Sequence, residues 1–302
     1  MSHPVGLVLF IFLIRFCGSV NPFPRTGYVI SGTYTTQPPE AQVDLYTSQA
    51  LEAIERLRLS GDLKSLMSAI NTFVRNRYSH KRETVTKLFT SIKAAILDKR
   101  NELLDWRIES RFGVNRRVMV DLPDIALGMI AQEVDEFCRQ VVEMLEKRLL
   151  VTEKDPVLQC SYMSLKADYM RYRAEFASSH YKKSRASEAL DEYKLAERFA
   201  RNSGRLSDSS EIVLGILLNR SVLEYEIMDD KVAATETCIR ALENAHKKPS
   251  GIVSLFTSNV ELSDTAVCIL QSIKRNMETW NIGVTNREVD DEWVICDVTN
   301  AK

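Results

Sequence analysis

With 302 residues, 27% of them charged and 45% hydrophobic, the chain has the composition of an ordinary globular protein with room for one large domain or two modest ones. A formal net charge of −1 gives no global drive toward nucleic acid or a membrane surface, so any anion binding has to come from a local cluster of Lys and Arg. Gly and Pro number only 11 and 8, which leaves long stretches without helix breakers.

Residues 1–19 form an apolar N-terminal segment. Val5–Ile14 is a continuous apolar run followed by Arg15, Gly18 and Ser19. It has the length of a signal-peptide core and is short for a membrane span. Only His3 precedes it where a basic flank is usual, and Arg15 interrupts its exit. Two readings therefore stay open: a secretory signal, or an extension that never engages the translocon. Residues 20–42 are rich in Pro, Gly, Ser and Thr without helical period and read as a flexible linker.

Helical periodicity then runs from 43 to 282. Leu45, Leu51, Ile54 and Leu57 suit a first helix closed near Gly61, and Leu63, Leu66, Met67, Ile70 and Phe73 a second. A long third carries Val85, Leu88, Phe89, Ile92, Ile96, Leu103 and Trp106, and the basic stretch Arg111–Arg117 breaks it. Ile130, Val134, Phe137, Val141, Leu145 and Leu149 mark a fourth, and a fifth spans about Leu158 to Ser178. Ala186, Ala189, Tyr193, Ala196 and Ala200 give the sixth a small-residue face. Three more follow, near 209–228, 231–247 and 261–281. The expected fold class is all-α, about nine helices made antiparallel by short connections. Residues 283–302 read as a loose tail.

The six cysteines are scattered without a C-x-x-C pair, a pattern that suits a reducing compartment. The sequon Asn219-Arg220-Ser221 falls mid-helix, where a glycan would not fit. Cytoplasmic localisation is expected, with the secretory pathway as the alternative if residues 1–19 act as a signal.

No phosphate-binding Gly loop, dinucleotide fingerprint, zinc-protease motif or nucleophile elbow is present, and the four His are far apart. No enzyme activity, metal or cofactor is expected. Charged residues on helix faces are more informative. Lys93, Arg100 and Arg107 recur every seven residues on one face of the third helix. Alone, such a stripe reads first as a solvated face. The fifth helix carries Asp168, Arg171 and Tyr172 within DYMRY, where Arg171 has Asp168 and Glu175 as candidate ion-pair partners. In the seventh, Asn219 sits among apolar neighbours and needs a hydrogen-bond partner, with Glu226 two turns on. Asn276 and Trp280 lie one turn apart on the ninth, where Trp280 also suits a core position.

Taken in order, these stretches resemble the 14-3-3 family. SYMSLKADYMRYRAEF (161–176) is similar to the family's Y-L-K-M-K-G-D-Y-Y-R-Y-L-A-E-F, and VLGILLNRSVLEYEI (213–227) to R-L-G-L-A-L-N-F-S-V-F-Y-Y-E-I without gaps. AVCILQSIKRNMETW (266–280) is similar to L-I-M-Q-L-L-R-D-N-L-T-L-W. The resemblance covers roughly 43–282. It implies a concave, TPR-like protomer, usually dimeric through its first four helices, that acts as a signalling adaptor for partners carrying phosphoserine or phosphothreonine. The phosphate-binding roles then fall to Lys93, Arg100, Arg171 and Tyr172. Asn219 and Asn276 match the asparagines that grip the peptide backbone. Asp168, Leu218, Val222, Glu226 and Trp280 match other groove positions. Homo- or heterodimers with 14-3-3-type chains and no nucleic-acid partner are expected, with a membrane role only if the N-terminal segment functions.

A phosphoryl group brings close to two negative charges and three strong acceptors, which guanidinium groups match bidentately while Lys adds a point charge. Several positions depart from the family pattern. Ser164 replaces a groove Lys, Ser272 and Thr279 replace wall leucines, and Leu59 stands where many members have a dimer-interface Arg. About three extra residues lie between Arg100 and Trp106; were they placed before Lys93 instead, Leu103 would take the arginine's position. A helical scaffold that keeps the fold without the phosphate site is the competing reading.

Overall fold

The computed structural model describes residues 40–76, 82–112, 122–246 and 262–282, which form nine helices and no strand among the described residues. They are α1 (Glu40–Leu59), α2 (Leu63–Arg75), α3 (Arg82–Phe112), α4 (Leu122–Met144), α5 (Pro156–Phe176), α6 (Ser179–Asn202), α7 (Glu211–Val222), α8 (Lys231–His246) and α9 (Asp264–Thr279). α4 and α7 are prolonged by single π-helical turns, Leu145–Leu149 and Leu223–Ile227, and α4 ends on a short helical stretch, Leu150–Thr152. The N-terminal apolar run, most of the proposed linker, the tail from 283 and the side chains of Trp106 and Arg107 lie outside the described residues.

Helix boundaries have local causes. Gly61 closes α1 with φ +74, a left-handed conformation that costs any other L-residue backbone strain. Asp62 then caps α2, accepting from the amides of Lys64 at 3.0 Å and Ser65 at 3.1 Å. Asp155 caps α5 ahead of Pro156, whose missing N–H costs nothing in the first turn. Ser210 and Ser263 cap α7 and α9. At the other end of α9, Asn281 adopts φ 54 and Ile282 N–H reaches the Met277 carbonyl at 2.9 Å, which stops the helix just after Trp280. A Cβ at Gly61 would meet nothing within 4 Å, so Gly61→Ala isolates the backbone term. It is expected to destabilise by about 1 kcal/mol, read as a lower urea midpoint with unchanged slope.

Two hydrophobic clusters form the core, and α5 belongs to both. Tyr162, Tyr169 and Tyr172 pack into the cluster built by α1–α4, with Phe89 ring centroids 6.3 Å from both Tyr162 and Tyr169. Cys160, Ala167 and Ala174, at strict seven-residue spacing, enter the cluster shared with α6–α9. Their small side chains meet the Ala-rich face of α6, where Ala186, Ala189, Ala196 and Ala200 are fully buried. The two helices run antiparallel. Cys160 meets the Ala196 carbonyl, Lys166 pairs with Glu192, and the Arg173 carbonyl accepts from Arg185, so partners descend along α6 as α5 ascends. With two faces of α5 committed to packing, a third carries Asp168, Arg171 and Glu175.

Candidate functional site

The third face of α5 gathers charge at the junction with α3, α6 and α7. Asp168 and Arg171 are each only 7% exposed. Arg171 Nη1 lies 3.8 Å from Glu175 Oε2, and its guanidinium carbon sits 4.5 Å over the Tyr172 ring. Across from it, Arg100 of α3 forms an ion pair with Glu175, Nε lying 2.8 Å from Oε1. One carboxylate thus holds two guanidinium groups from two helices. Burial opposes the charge of Arg171, but Tyr193, Tyr172, Asp168 and Glu175 more than offset it, and its pKa stands well above the ordinary guanidinium value. Arg171 therefore stays cationic although buried.

Asn219 of α7 completes the same cluster. Its Nδ2 donates to Asp168 Oδ1 at 2.9 Å, which supplies the partner that an amide in an apolar helix requires. Glu226 falls within the electrostatic reach of Glu175, Arg171 and Arg100. The π-helical turn Leu223–Ile227 includes Glu226, so its seven-residue separation from Asn219 is not two regular turns. That extra residue per turn is invisible to a 3.6-residue pattern.

Other sequence-predicted residues are placed less centrally. Lys93 is half-buried and makes no ion pair among the described residues. Tyr172 is buried by its ring, in edge contact with Tyr169 at 5.9 Å. Leu218 and Val222 are half-buried, and Leu218 packs against the second core cluster. Asn276 is 4% exposed, and its Nδ2 has no hydrogen-bond partner among the described residues. Trp280 also packs against the second cluster and stacks on Tyr225 at 4.2 Å and 10°. Ser272 and Thr279 turn their hydroxyls back to the carbonyls of Cys268 and Arg275, both at 2.8 Å.

Tyr193, which periodicity places only on the small-residue face of α6, joins the site without having been expected there. Its hydroxyl donates to Asp168 Oδ1 at 2.5 Å and accepts from Arg171 Nε at 3.3 Å. The available signal was chemical: one phenol in a row of buried alanines must find a polar partner.

Glu226 is open to solvent, yet loss of hydration and the neighbouring Glu175 charge hold its carboxyl above the ordinary value of 4.5, against the pull of Arg171 and Arg100. A raised folded-state pKa means that stability is full below the unfolded value and falls as pH rises through the folded one. Glu226→Gln is therefore expected to melt above the parent at pH 7, with the gap closing near pH 4. A gap that widened on acidification would refute this sign.

A sequence model of the family described as 14-3-3 protein matches residues 54–281. The 14-3-3 protein epsilon of Drosophila melanogaster is 31% identical over 163 residues, covering 54% of this chain and 59% of that protein. A 14-3-3-like protein of Fucus vesiculosus is 31% identical over 178 residues, or 58% and 68% of the two chains. The checkpoint signal transducer rad24 of Schizosaccharomyces pombe is 30% identical over 151 residues, or 50% and 53%. The aligned stretch thus spans between about half and two thirds of these relatives. The family match covers most of the helical array and all of the residues gathered around Arg171, and the chain belongs to the 14-3-3 family.

Proposed function

We propose that this chain is a non-enzymatic signalling adaptor that binds partner proteins through phosphoserine or phosphothreonine. The observation that carries the reading is the meeting of Arg100 and Arg171 on the single carboxylate of Glu175. Two guanidinium groups from different helices, one of them nearly buried, form a cationic pair of the kind that a phosphate dianion matches. Lys93, on the Arg100 face of α3 and without an ion-pair partner among the described residues, adds a third cation, and the Tyr172 hydroxyl a further donor.

The arrival of phosphate exchanges Glu175 for a ligand with more charge and more acceptors. Asn219, anchored by Asp168, and Asn276, whose Nδ2 has no partner among the described residues, supply amides for an extended peptide that has no sheet to pair with. Leu218, Val222, Glu226 and Trp280 line the remainder of the groove. The alignment that keeps Arg100 as the helix-three arginine is supported by its pairing with Glu175, while Leu103 is 5% exposed and sits in the first core cluster.

Homo- or heterodimerisation through the first four helices is part of the proposal. Leu45, Tyr46 and Leu59 of α1 are 55%, 44% and 69% exposed, apolar area suited to burial against a second 14-3-3-type chain. No described helix is long and apolar enough to cross a membrane. Cytoplasmic localisation is proposed, and mass spectrometry of the mature N-terminus from cells and from medium tests it against secretion.

The central experiment is fluorescence anisotropy with a degenerate R-S-x-pS-x-P peptide and its unphosphorylated twin. Binding that requires the phosphate is the expected result. Equal binding of the two peptides to folded, helical protein would leave a scaffold that kept the fold without the site.

A further inference from the structure

The polar contacts around Arg171 form one continuous chain. Tyr193 is fully buried, and its hydroxyl bridges Arg171 Nε at 3.3 Å and Asp168 Oδ1 at 2.5 Å. The same Oδ1 accepts from Asn219 Nδ2 at 2.9 Å. Arg171, Tyr193, Asp168 and Asn219 thus run in series through α5, α6 and α7. Each end of the series is a residue assigned above to ligand: a guanidinium for phosphate and an amide for peptide backbone. The middle is buried.

Burial and the Asp168 charge both push the Tyr193 phenol well above its usual range, so it stays neutral and able to donate. An Arg guanidinium has five donors in a rigid fork. Fixing Nε through Tyr193 sets the plane of that fork and leaves the two terminal nitrogens for Glu175 or a ligand. Asp168, 7% exposed, is held by donors from α6 and α7 and reaches ligand through neither. A phenylalanine would fill the ring's place in the alanine face equally well, so packing alone does not call for the hydroxyl.

We propose that Tyr193 is a positioning residue of the binding site, whose hydroxyl fixes the guanidinium of Arg171 and, through Asp168, the amide of Asn219. Capture of the phosphate and capture of the peptide backbone are thereby set by one buried hydrogen-bond chain. The proposal rests on the phosphopeptide reading.

The test uses the full chain, the phosphorylated peptide and its unphosphorylated twin, with parent, Tyr193→Phe, Arg171→Lys and the double variant. Tyr193→Phe is expected to weaken phosphopeptide binding about tenfold, the effect of one hydrogen bond to a charged group. In the Arg171→Lys background, where the fork is already gone and only the hold on Asn219 is left to lose, the same change is expected to matter clearly less, about threefold. A merely structural tyrosine would instead lower affinity by the same factor in both backgrounds, and that result overturns the proposal. So does full affinity in Tyr193→Phe, whatever its melting temperature. Should Tyr193→Phe fail to fold, Asp168→Asn takes its place. It keeps the shape of the middle link and is expected to reproduce the tenfold loss; parental affinity overturns the proposal. A parent that binds both peptides equally fails at the earlier step, refuting the phosphopeptide reading and with it this inference, and so separates the two.

Discussion

Arg171→Ala is expected to lower affinity for a phosphoserine peptide about 100-fold while leaving the weak binding of the unphosphorylated twin unchanged. Hydrogen bonds to charged groups contribute about 1.5–3 kcal/mol each, and losing a two-pronged contact comes to about 3 kcal/mol, or two decades of Kd. Stability also suffers. Glu175 loses one of its two guanidinium partners and Asp168 a neighbouring positive charge, and removing one partner from a buried ionic cluster costs on the order of 3 kcal/mol. Anisotropy is therefore read below the variant's own melting transition, followed by circular dichroism. Arg139→Ala is the matched control. Its exposed pairs with Glu136 and Glu143 lie on α4, away from the cluster, and neither affinity nor helicity should move. Equal losses in the two variants would remove Arg171 from the site.

The second large effect is expected in a different place. Glu197, 5% exposed, accepts from Arg201 at 2.8 Å, Arg220 at 3.1 Å and Arg240 at 3.4 Å, which joins α6, α7 and α8. Arg220 also reaches the buried Glu224 at 2.7 Å, and Thr237 closes the far side of that carboxylate. Burial, with repulsion from Arg220 and Arg201, outweighs the pull of Glu197 and holds Arg240 below its ordinary pKa. Deleting Glu197 leaves the largely buried Arg220 facing Arg240 and Arg201 without the carboxylate that held them together. Glu197→Ala is expected to destabilise by about 3 kcal/mol, a fall in Tm of about 6–12 °C for a domain of this size. Arg201→Ala, at the solvent edge of the same hub, should cost no more than about 1 kcal/mol. If the two variants melt together, Glu197 is not the hub.

Arg220 and Glu224 stand where the family stretch quoted above has Phe and Tyr. Two charged side chains of an ionic junction thus occupy positions that are aromatic in that stretch. Buried ion pairs often do no better than well-packed apolar groups of similar volume, so the network does not argue for a more stable fold. It does make the junction intolerant of losing one member at a time.

The helical array was legible in the sequence because apolar residues at three- and four-residue steps leave little choice of secondary structure over this length. Gly61 marked the end of the first helix for the same local reason that the structure shows, whereas the caps Asp62 and Asp155 and the first-turn Pro156 emerge only in the structure. The Arg171–Tyr172 pair and the interior Asn219 were visible as residues needing partners. Which partners they take was not visible. Glu175 and Asp168 were equal candidates for Arg171 by helical spacing, and the structure divides the roles: Glu175 is shared with Arg100, whereas Asp168 is bound to Tyr193 and Asn219. The π-helical turns at Leu145–Leu149 and Leu223–Ile227 likewise escaped a regular period.

The sequence by itself therefore determined the helices, their order and the residue types that carry the binding chemistry, because these depend on propensity and periodicity within one segment. The tertiary structure alone decided the carboxylate between two arginines, the phenol that joins α5 to α6 and the Glu197 hub. Each of those depends on the rotation and register of one helix against another, which are set by how side chains of different volume interlock across the interface and leave no trace in the period of either helix.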